Sequence, residues 1–288
     1  RDKTYRHSDY HAFNISDPKS RNIHKASVRD RLLHRALYRQ LYPFFDRIFI
    51  YDSYSCRIDK GTHKAINQFR NFAYKVSQNH TKTVWILKCD IKKFFASIDH
   101  SVFKNIIGNY IPDQDIKWLL WQVIDSFETS PDKGLPLGNL TSQLLVNVYM
   151  NVFDQYMKHK LKVRYYIRYA DDFAIFSDDK HYLEKMLAKI DLFLREKFKL
   201  NLHPNKVSIS TLASGVDFLG WVHFVDHRVL RSVSKRRIFV NIRLAKEKLD
   251  QELITEYSFN QTLQSYYGIL KHCQGHKLSL EIEFLVKR

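Results

Sequence analysis

Cysteine is scarce in this 288-residue chain, with three residues that lie far apart at Cys56, Cys89 and Cys273. An odd and scattered set excludes a disulfide framework and predicts a protein of the reducing cytosol. The segment 272–276 combines two histidines with a cysteine, but no second Cys/His cluster lies near it in the sequence. The usual pattern of a structural zinc site is therefore missing.

Long apolar runs are also missing, since none approaches the ~20 residues that a membrane-spanning helix needs, and no signal-peptide pattern opens the chain. Acidic residues are few: 30 Asp and Glu face 47 Lys and Arg, which gives a formal net charge of +17. A basic excess of this size favours a polyanionic partner, with nucleic acid a better candidate than a membrane surface. No internal repeat or low-complexity segment is visible, and 44% hydrophobic residues predict a folded globular protein.

The most informative feature is the acidic pair Asp171 and Asp172, which lies between two short runs rich in β-branched and aromatic residues, 163–169 and 173–176. This arrangement predicts a hairpin with the two acids at its tip. An Asp-Asp pair is most often a polar turn, and the pair 178–179, which no second β-type run follows, is interpreted as a solvated loop. Acids between buried strands are costly unless they serve a purpose, so the first pair predicts a site.

A third acid, Asp90, follows the apolar run 83–89, which predicts a strand with the carboxylate at its C-terminal end. Carboxylates at neighbouring strand ends converge and repel one another by about 1 to 4 kcal/mol per pair at close range. Two divalent cations remove this repulsion and form the clamp used in phosphoryl transfer. The sequence therefore predicts a two-metal site.

Helical spacing of apolar residues predicts helices over 27–42, 60–77, 113–126, 141–158 and 181–198. Asp99 or Ser101 is interpreted as a helix cap and not as a catalyst. The segment 134–139 is a loop with two glycines and a proline, and 218–224 is a candidate hairpin. From about residue 232 to the end the chain reads as helical and basic.

Several segments, taken in order, resemble the motifs of bacterial reverse transcriptases. The second catalytic motif of that family is matched by Tyr169-Ala170-Asp171-Asp172, and the first resembles the stretch from Leu87 to His100. The other matching segments, in chain order, are 17–21, 28–31, 52–57, 60–63 and 218–220. The resemblance implies an α+β right-hand polymerase with fingers at 1–86, a palm at 87–229 that includes a fingers-like excursion near 104–140, and a helical thumb at 230–288.

The resemblance also implies the roles of individual residues. Asp90, Asp171 and Asp172 are the expected catalytic residues, and with the carbonyl of Ile91 they are expected to bind two Mg²⁺ ions, with Mn²⁺ as an alternative. The expected nucleotide-binding residues are Lys19 and Arg21 for the triphosphate, Phe95 as the gate against a ribose 2′ hydroxyl, Leu137 and Gly138 behind the nascent base pair, and Lys206 as the acid for pyrophosphate. Phe218, Leu219 and Gly220 are expected to grip the primer.

One departure from the common family pattern narrows the resemblance to a subfamily. The loop reads Pro136-Leu137-Gly138 in place of the usual Pro-Gln-Gly, and Ser142-Gln143 follows. This variant resembles the error-prone reverse transcriptases of diversity-generating retroelements, although neutral drift also explains it. That subfamily implies a template RNA, a primer or cDNA strand, deoxynucleoside triphosphates and a small basic accessory variability protein as partners, in a bacterial, archaeal or phage-encoded cytoplasmic setting without a membrane.

Three alternatives stay open at this point. Within the family, the chain is also compatible with a group II intron-like or retron reverse transcriptase. Outside it, a catalytically inactive nucleic-acid-binding relative is opposed by the intact set of three acids. An RNA polymerase or primase on a similar palm is opposed by Phe95, whose ring fits a gate for deoxynucleotides.

Overall fold

Helices and short antiparallel strands build the protein in a computed structural model that describes residues 3–16 and 20–287. Within those residues the helices are α1 Val28–Ile48, α2 Thr62–Val76, α3 Phe94–Ser97, α4 His100–Tyr110, α5 Gln114–Asp125, α6 Leu140–Gln155, α7 Lys180–Phe198, α8 Ser232–Asp250, α9 Glu256–Leu270 and α10 His276–Lys287. The strands are β1 His11–Ile15, β2 Arg21–Lys25, β3 Trp85–Asp90, β4 Tyr166–Tyr169, β5 Asp172–Ser177, β6 Ser208–Thr211, β7 Val216–Phe218, β8 Trp221–His223 and β9 Arg228–Leu230.

The strands form three small sheets in the part of the chain that the structure describes. Strands β1 and β2 pair alone, the central sheet has the order β4-β5-β3-β6, and β7, β8 and β9 form a meander. Both faces of the central hairpin are buried, since Tyr166, Ile167 and residues Phe173 to Ile175 are all buried. This burial explains why both runs read as hydrophobic stretches without alternation.

The helix caps and hairpins follow the sequence-based expectations closely. Asp99 accepts a hydrogen bond from the Val102 amide and caps α4, so its interpretation as a cap is confirmed. Asp179 of the second acidic pair caps α7 by accepting bonds from the His181 and Tyr182 amides. The predicted hairpin at 218–224 is present as β7 and β8.

One prediction about the N-terminal region was wrong, and two strands there were not predicted. Helix α1 was expected to end at Tyr42, before Pro43, but it continues to Ile48. Burial of Leu37, Leu41 and Phe45 carries the apolar face of the helix past the proline, and this packing offsets the loss of one backbone hydrogen bond. Strands β1 and β2 were missed because their residues are mostly exposed and lack an apolar alternation.

The described residues divide into two compact units. One contains the described residues through Ala65 together with Leu87–Ile209, and the other contains Ile66–Ile86 with Ser210–Arg288, of which the last described residue is Lys287. The units are defined by compactness, whereas fingers, palm and thumb were assigned from motif order, so those boundaries stay a prediction. Among the described residues, none of the helices is long and apolar enough to cross a membrane.

Candidate active site

The predicted acidic turn joins β4 to β5. Tyr169 pairs with Asp172 across the hairpin, so Ala170 and Asp171 form a two-residue turn and Asp172 is the first residue of β5. Ala170 has a left-handed φ of +54°, a conformation that L-residues adopt rarely. The turn thus places Asp171 at its tip and Asp172 beside it, as the sequence predicted, and both side chains are half-buried.

Asp90 is the last residue of β3, next to β5 in the central sheet. Its backbone carbonyl accepts a hydrogen bond from the His203 amide at 2.8 Å. The following residue, Ile91, has a buried side chain and forms a backbone bridge with Leu202. The segment 201–203 therefore holds the end of β3 in place, so the Asp90 carboxylate projects from a well-supported strand end.

Electrostatic interactions connect the three acids. Burial raises the pKa of Asp171 to about 6, and the carboxylates of Asp90 and Asp172 add to the rise, while Asp171's own backbone amide and the Lys206 ammonium oppose it. Near pH 7 the turn therefore holds crowded negative charge that only cations relieve. Lys88 lies 3.7 Å from Asp172.

Lys206 supplies one such cation. Its Nζ atom lies 2.9 Å from both carboxylate oxygens of Asp90. Hard carboxylate oxygens close together are the ligands that Mg²⁺ and Mn²⁺ prefer, and the ammonium group occupies a position where a cation is electrostatically favoured. Asp90, Asp171 and Asp172 therefore offer oxygen ligands of the kind that divalent ions prefer, with Lys206 at the Asp90 carboxylate. Among the described residues, no three acidic, histidine or cysteine side chains are grouped closely enough to hold an ion as they stand.

The expected nucleotide-binding residues near the loop 134–139 meet strand β2. The Leu137 carbonyl accepts a hydrogen bond from the His24 amide at 3.0 Å, and Asn139 Nδ2 donates to the His24 carbonyl at 2.8 Å. Gly138 has φ +104°, and a Cβ atom there would lie 2.7 Å from the Ile23 side chain, so only glycine fits.

The structure describes two of the three other expected nucleotide-binding residues, Arg21 and Phe95. Arg21 is exposed at the start of β2, the strand to which Leu137 is bonded. Phe95 is half-buried in α3, with its carbonyl accepting a bond from the Leu135 amide at 2.8 Å, whereas Phe94 is buried. Lys19 lies outside the described residues.

The expected primer grip lies in the other unit. Phe218 is fully buried and stacks on Phe69 with ring centroids 5.0 Å apart. Leu219 and Gly220 form the two-residue turn of the hairpin, with φ values of +52° and +92°. Two positive φ values are typical of a type I′ turn, the kind that matches the twist of paired strands.

Sequence reasoning missed Arg168, the largest fully buried side chain of the described residues. It lies on β4, two residues before the turn, and forms an ion pair with buried Asp154 of α6 at 2.7 Å. A charged residue inside an apolar strand was the available signal, because such a residue is buried only when it is paired.

Comparisons with known proteins agree on one family. The family model for reverse transcriptase (RNA-dependent DNA polymerase) matches residues 15–223. Protein YkfC of Escherichia coli is 25% identical over 76% of this chain and 66% of its own length. The group II intron-encoded protein LtrA of Lactococcus lactis is 22% identical over 76% of this chain and 46% of its own length. The retron Ec73 reverse transcriptase of Escherichia coli is 25% identical over 68% of this chain and 64% of its own length.

Solved structures agree on the fold. Telomerase from Candida tropicalis, in complex with a fragment of telomeric RNA, matches with a TM-score of 0.62 at 9% identity, over 96% of this chain and 55% of that chain. Apo telomerase from the same organism matches with a TM-score of 0.57 at 10% identity, over 77% of this chain and 48% of that chain. The α+β right-hand polymerase fold is thereby confirmed. Since the family model covers most of the chain, the chain belongs to the reverse transcriptase family.

Proposed function

We propose that this protein is an RNA-directed DNA polymerase that adds deoxynucleotides to a primer 3′ hydroxyl on an RNA template. The observation that carries the proposal is the position of Asp90, Asp171 and Asp172 at the ends of neighbouring strands in the central sheet of a reverse-transcriptase family member. Burial, with a contribution from the carboxylates of Asp90 and Asp172, raises the pKa of Asp171 there. Two bound divalent ions supply activation of the attacking hydroxyl and stabilisation of the leaving pyrophosphate. Asp90, Asp171, Asp172 and the Ile91 carbonyl would hold them.

The other residues of the site have roles in binding and proton transfer. Lys206 lies against Asp90, and it would donate a proton to the pyrophosphate oxygen. Lys19 and Arg21 would neutralise the triphosphate, and Leu137 and Gly138 would back the nascent pair. Phe218, Leu219 and Gly220 would hold the primer end. Template RNA, the primer or cDNA strand and deoxynucleoside triphosphates are the ligands that these roles require.

Primer extension on an RNA template tests the proposal directly. Deoxynucleotides and ribonucleotides are supplied in parallel reactions with Mg²⁺, and then with Mn²⁺. We expect template-dependent cDNA from deoxynucleotides alone. Binding of the template–primer without extension under either metal would favour a non-catalytic nucleic-acid-binding relative, and efficient ribonucleotide polymerisation would favour an RNA polymerase or primase.

Phe95 carries a prediction about sugar choice. Phe95→Ala opens space beside C2′ of the incoming nucleotide, so ribonucleotide incorporation should rise relative to deoxynucleotide incorporation, because the clash that rejects the 2′ hydroxyl is removed. Single-nucleotide extension with each nucleotide measures the ratio. Phe94→Leu is the matched control, since it reduces apolar volume one residue away at a buried position and should leave the ratio unchanged. Equal ratios in Phe95→Ala and wild-type protein would return Phe95 to a packing role.

A finer assignment rests on the loop at Leu137. We propose that the enzyme is the error-prone polymerase of a diversity-generating retroelement, working with a small basic accessory variability protein in mutagenic retrohoming. Support comes from the aliphatic Leu137 and from Ser142-Gln143. The competing assignment is a group II intron-like or retron enzyme, and the similarity to LtrA and to the retron Ec73 enzyme favours it.

Leu137 provides the test between these two assignments. Its backbone is held by the bonds between residues 137–139 and His24, so the side chain can change while the loop keeps its course. Leu137→Gln introduces a polar restraint on the base pair and should lower misincorporation, most of all opposite template adenine, with about tenfold better discrimination for each ~1.4 kcal/mol regained. Sequencing cDNA from one template measures the error spectrum.

Leu137→Met is the control for this prediction, because it keeps an apolar side chain of similar volume and should keep the wild-type error spectrum. If Leu137→Gln and the wild-type protein make the same errors, Leu137 does not determine fidelity. That result would leave the polymerase assignment standing and remove the support for a diversity-generating role.

A further inference from the structure

Arg168 has its entire hydrogen-bonding capacity satisfied inside the protein. A guanidinium group carries five N–H donors. Nε donates to Asp154 Oδ1 at 2.8 Å and Nη2 donates to Asp154 Oδ2 at 2.7 Å, which forms a bidentate pair. Nη2 also donates to Ser53 Oγ at 3.0 Å, and Nη1 donates to Asn147 Oδ1 at 3.4 Å. Four donors therefore bind the side chains of Asp154, Ser53 and Asn147, which surround β4.

The fifth donor reaches the acidic turn. Nη1 of Arg168 donates to the Ala170 carbonyl at 3.0 Å. This carbonyl belongs to the peptide bond that links Ala170 to Asp171, and Ala170 has a left-handed φ of +54°. Left-handed backbone at a residue other than glycine persists only where its surroundings hold it. The Arg168 guanidinium contacts this peptide from the protein interior through its hydrogen bond to the Ala170 carbonyl.

Segments far apart in the sequence hold Arg168 itself. Its backbone amide donates to the Asp52 carbonyl, and its carbonyl accepts from the Tyr54 amide, both at 3.0 Å. Asp154 also accepts a 2.7 Å hydrogen bond from the Tyr166 hydroxyl, so its carboxylate is fixed by two β4 residues. Helix α6 and the segment 52–54 thus form a rigid frame for the arginine.

From this geometry we infer that Arg168 is a positioning residue, which sets the direction of the Ala170–Asp171 peptide and so aims the Asp171 carboxylate at the metal site. The inference rests on the proposed function, because it assigns Arg168 a part in metal binding by Asp171. It also separates two roles of the hydrogen bonds that Arg168 donates. Asp154, Ser53 and Asn147 hold the guanidinium, and only the bond to Ala170 acts on the site.

Arg168→Lys is the first test, since lysine keeps the charge beside Asp154 but has no planar fork and cannot satisfy both Asp154 and the turn. Mn²⁺ binding is measured without turnover, by the paramagnetic resonance signal of free Mn²⁺ during titration of the protein with template–primer present. We expect at least about tenfold weaker Mn²⁺ binding, a matching increase in the Mg²⁺ concentration for half-maximal extension, and a KM for template–primer within about twofold of the wild-type value.

Arg57→Lys is the matched control. Arg57 is another largely buried arginine of the same unit, bonded to Asp46 at 2.7 Å and to the Ile50 and Ser53 carbonyls. It thus supports the segment that holds Arg168, but none of its hydrogen bonds goes to the Ala170–Asp171 turn. Its substitution should lower the melting temperature and leave Mn²⁺ binding unchanged. Equal Mn²⁺ affinity in Arg168→Lys and Arg57→Lys proteins of similar stability would overturn the inference.

A second variant keeps the test decisive if Arg168→Lys does not fold. Arg168→Met with Asp154→Asn removes both charges and keeps an acceptor for the Tyr166 hydroxyl, and replacing a buried ion pair by uncharged side chains is often tolerated. A folded double variant with weakened Mn²⁺ binding supports the inference, and one with wild-type binding overturns it. Absence of Mn²⁺ binding that depends on Asp171 in the wild-type protein would instead contradict the proposed function, and the inference with it.

Discussion

A folded Asp171→Asn protein should extend a primer at least about a thousandfold more slowly than the wild-type protein, a loss of roughly 4 kcal/mol of transition-state stabilisation. The asparagine keeps the shape of the turn but removes the negative charge that a divalent ion requires. Single-turnover extension on an RNA template measures the rate. Asp178→Asn changes an exposed acid of the second pair and should retain activity.

The same substitution should stabilise the protein when no divalent ion is present. The pKa of Asp171 is about 6 in the folded protein against an ordinary value of 3.8, so the folded state binds more protons than the unfolded state between these values. The stability of the wild-type protein therefore falls as pH rises through this window. At pH 7 Asp171→Asn should be more stable by on the order of 1 to 3 kcal/mol, a difference that disappears near pH 4.

Thermal unfolding in a chelating buffer at both pH values measures this difference. A gain in stability together with the loss of extension separates a site effect from misfolding, and it is the pattern expected where function is maintained at a cost in stability. Near wild-type extension by a folded Asp171→Asn protein would contradict the assignment of the acidic turn.

Binding to a template–primer duplex should weaken by about 10³ to 10⁵ between 50 and 200 mM salt if ~6 to 10 phosphates are contacted. The +17 formal charge motivates this expectation, because lysine and arginine contacts release counterions from nucleic acid. Fluorescence anisotropy of a labelled duplex over a salt series measures the slope of the logarithm of the binding constant against the logarithm of the salt concentration. The melting temperature over the same series verifies that the protein stays folded.

Charge substitutions locate the source of that slope. Arg236 is an exposed residue of α8, a helix rich in basic residues, and Arg236→Gln should reduce the slope by about one if it contacts a phosphate. Arg195→Gln is the control, since Arg195 pairs with Asp191 at 2.9 Å within α7 and should leave the slope unchanged. Affinity that does not depend on salt would indicate that the excess charge has no nucleic-acid role.

Much of the site follows from local sequence. The acidic turn between two apolar runs, Asp90 at a strand end and the Phe218 hairpin were all predictable, because turn chemistry and strand periodicity involve residues only a few positions apart. Asp99 and Asp179 were recognisable as residues of helix starts or loops for the same reason. The order of the motifs then indicated the family and its right-hand fold.

Other features depend on contacts between distant segments. The sequence predicted that α1 ends before Pro43, whereas burial of Phe45 extends the helix. Strand β2 is held by Leu137 and Asn139, 113 and 115 residues away from His24, and its own residues carry little strand signal. Pairing of this kind is decided by the partner segment, which local periodicity does not encode.

The sequence by itself determined which acids and which turn form the candidate site, because those groups are adjacent along the chain or lie at strand ends. Only the tertiary structure decided how they are held. Lys206 reaches Asp90 across 116 residues, and Arg168 joins residues from positions 53, 147 and 154 to the Ala170 carbonyl. A buried guanidinium needs a partner for each donor, and only the folded chain brings those partners together.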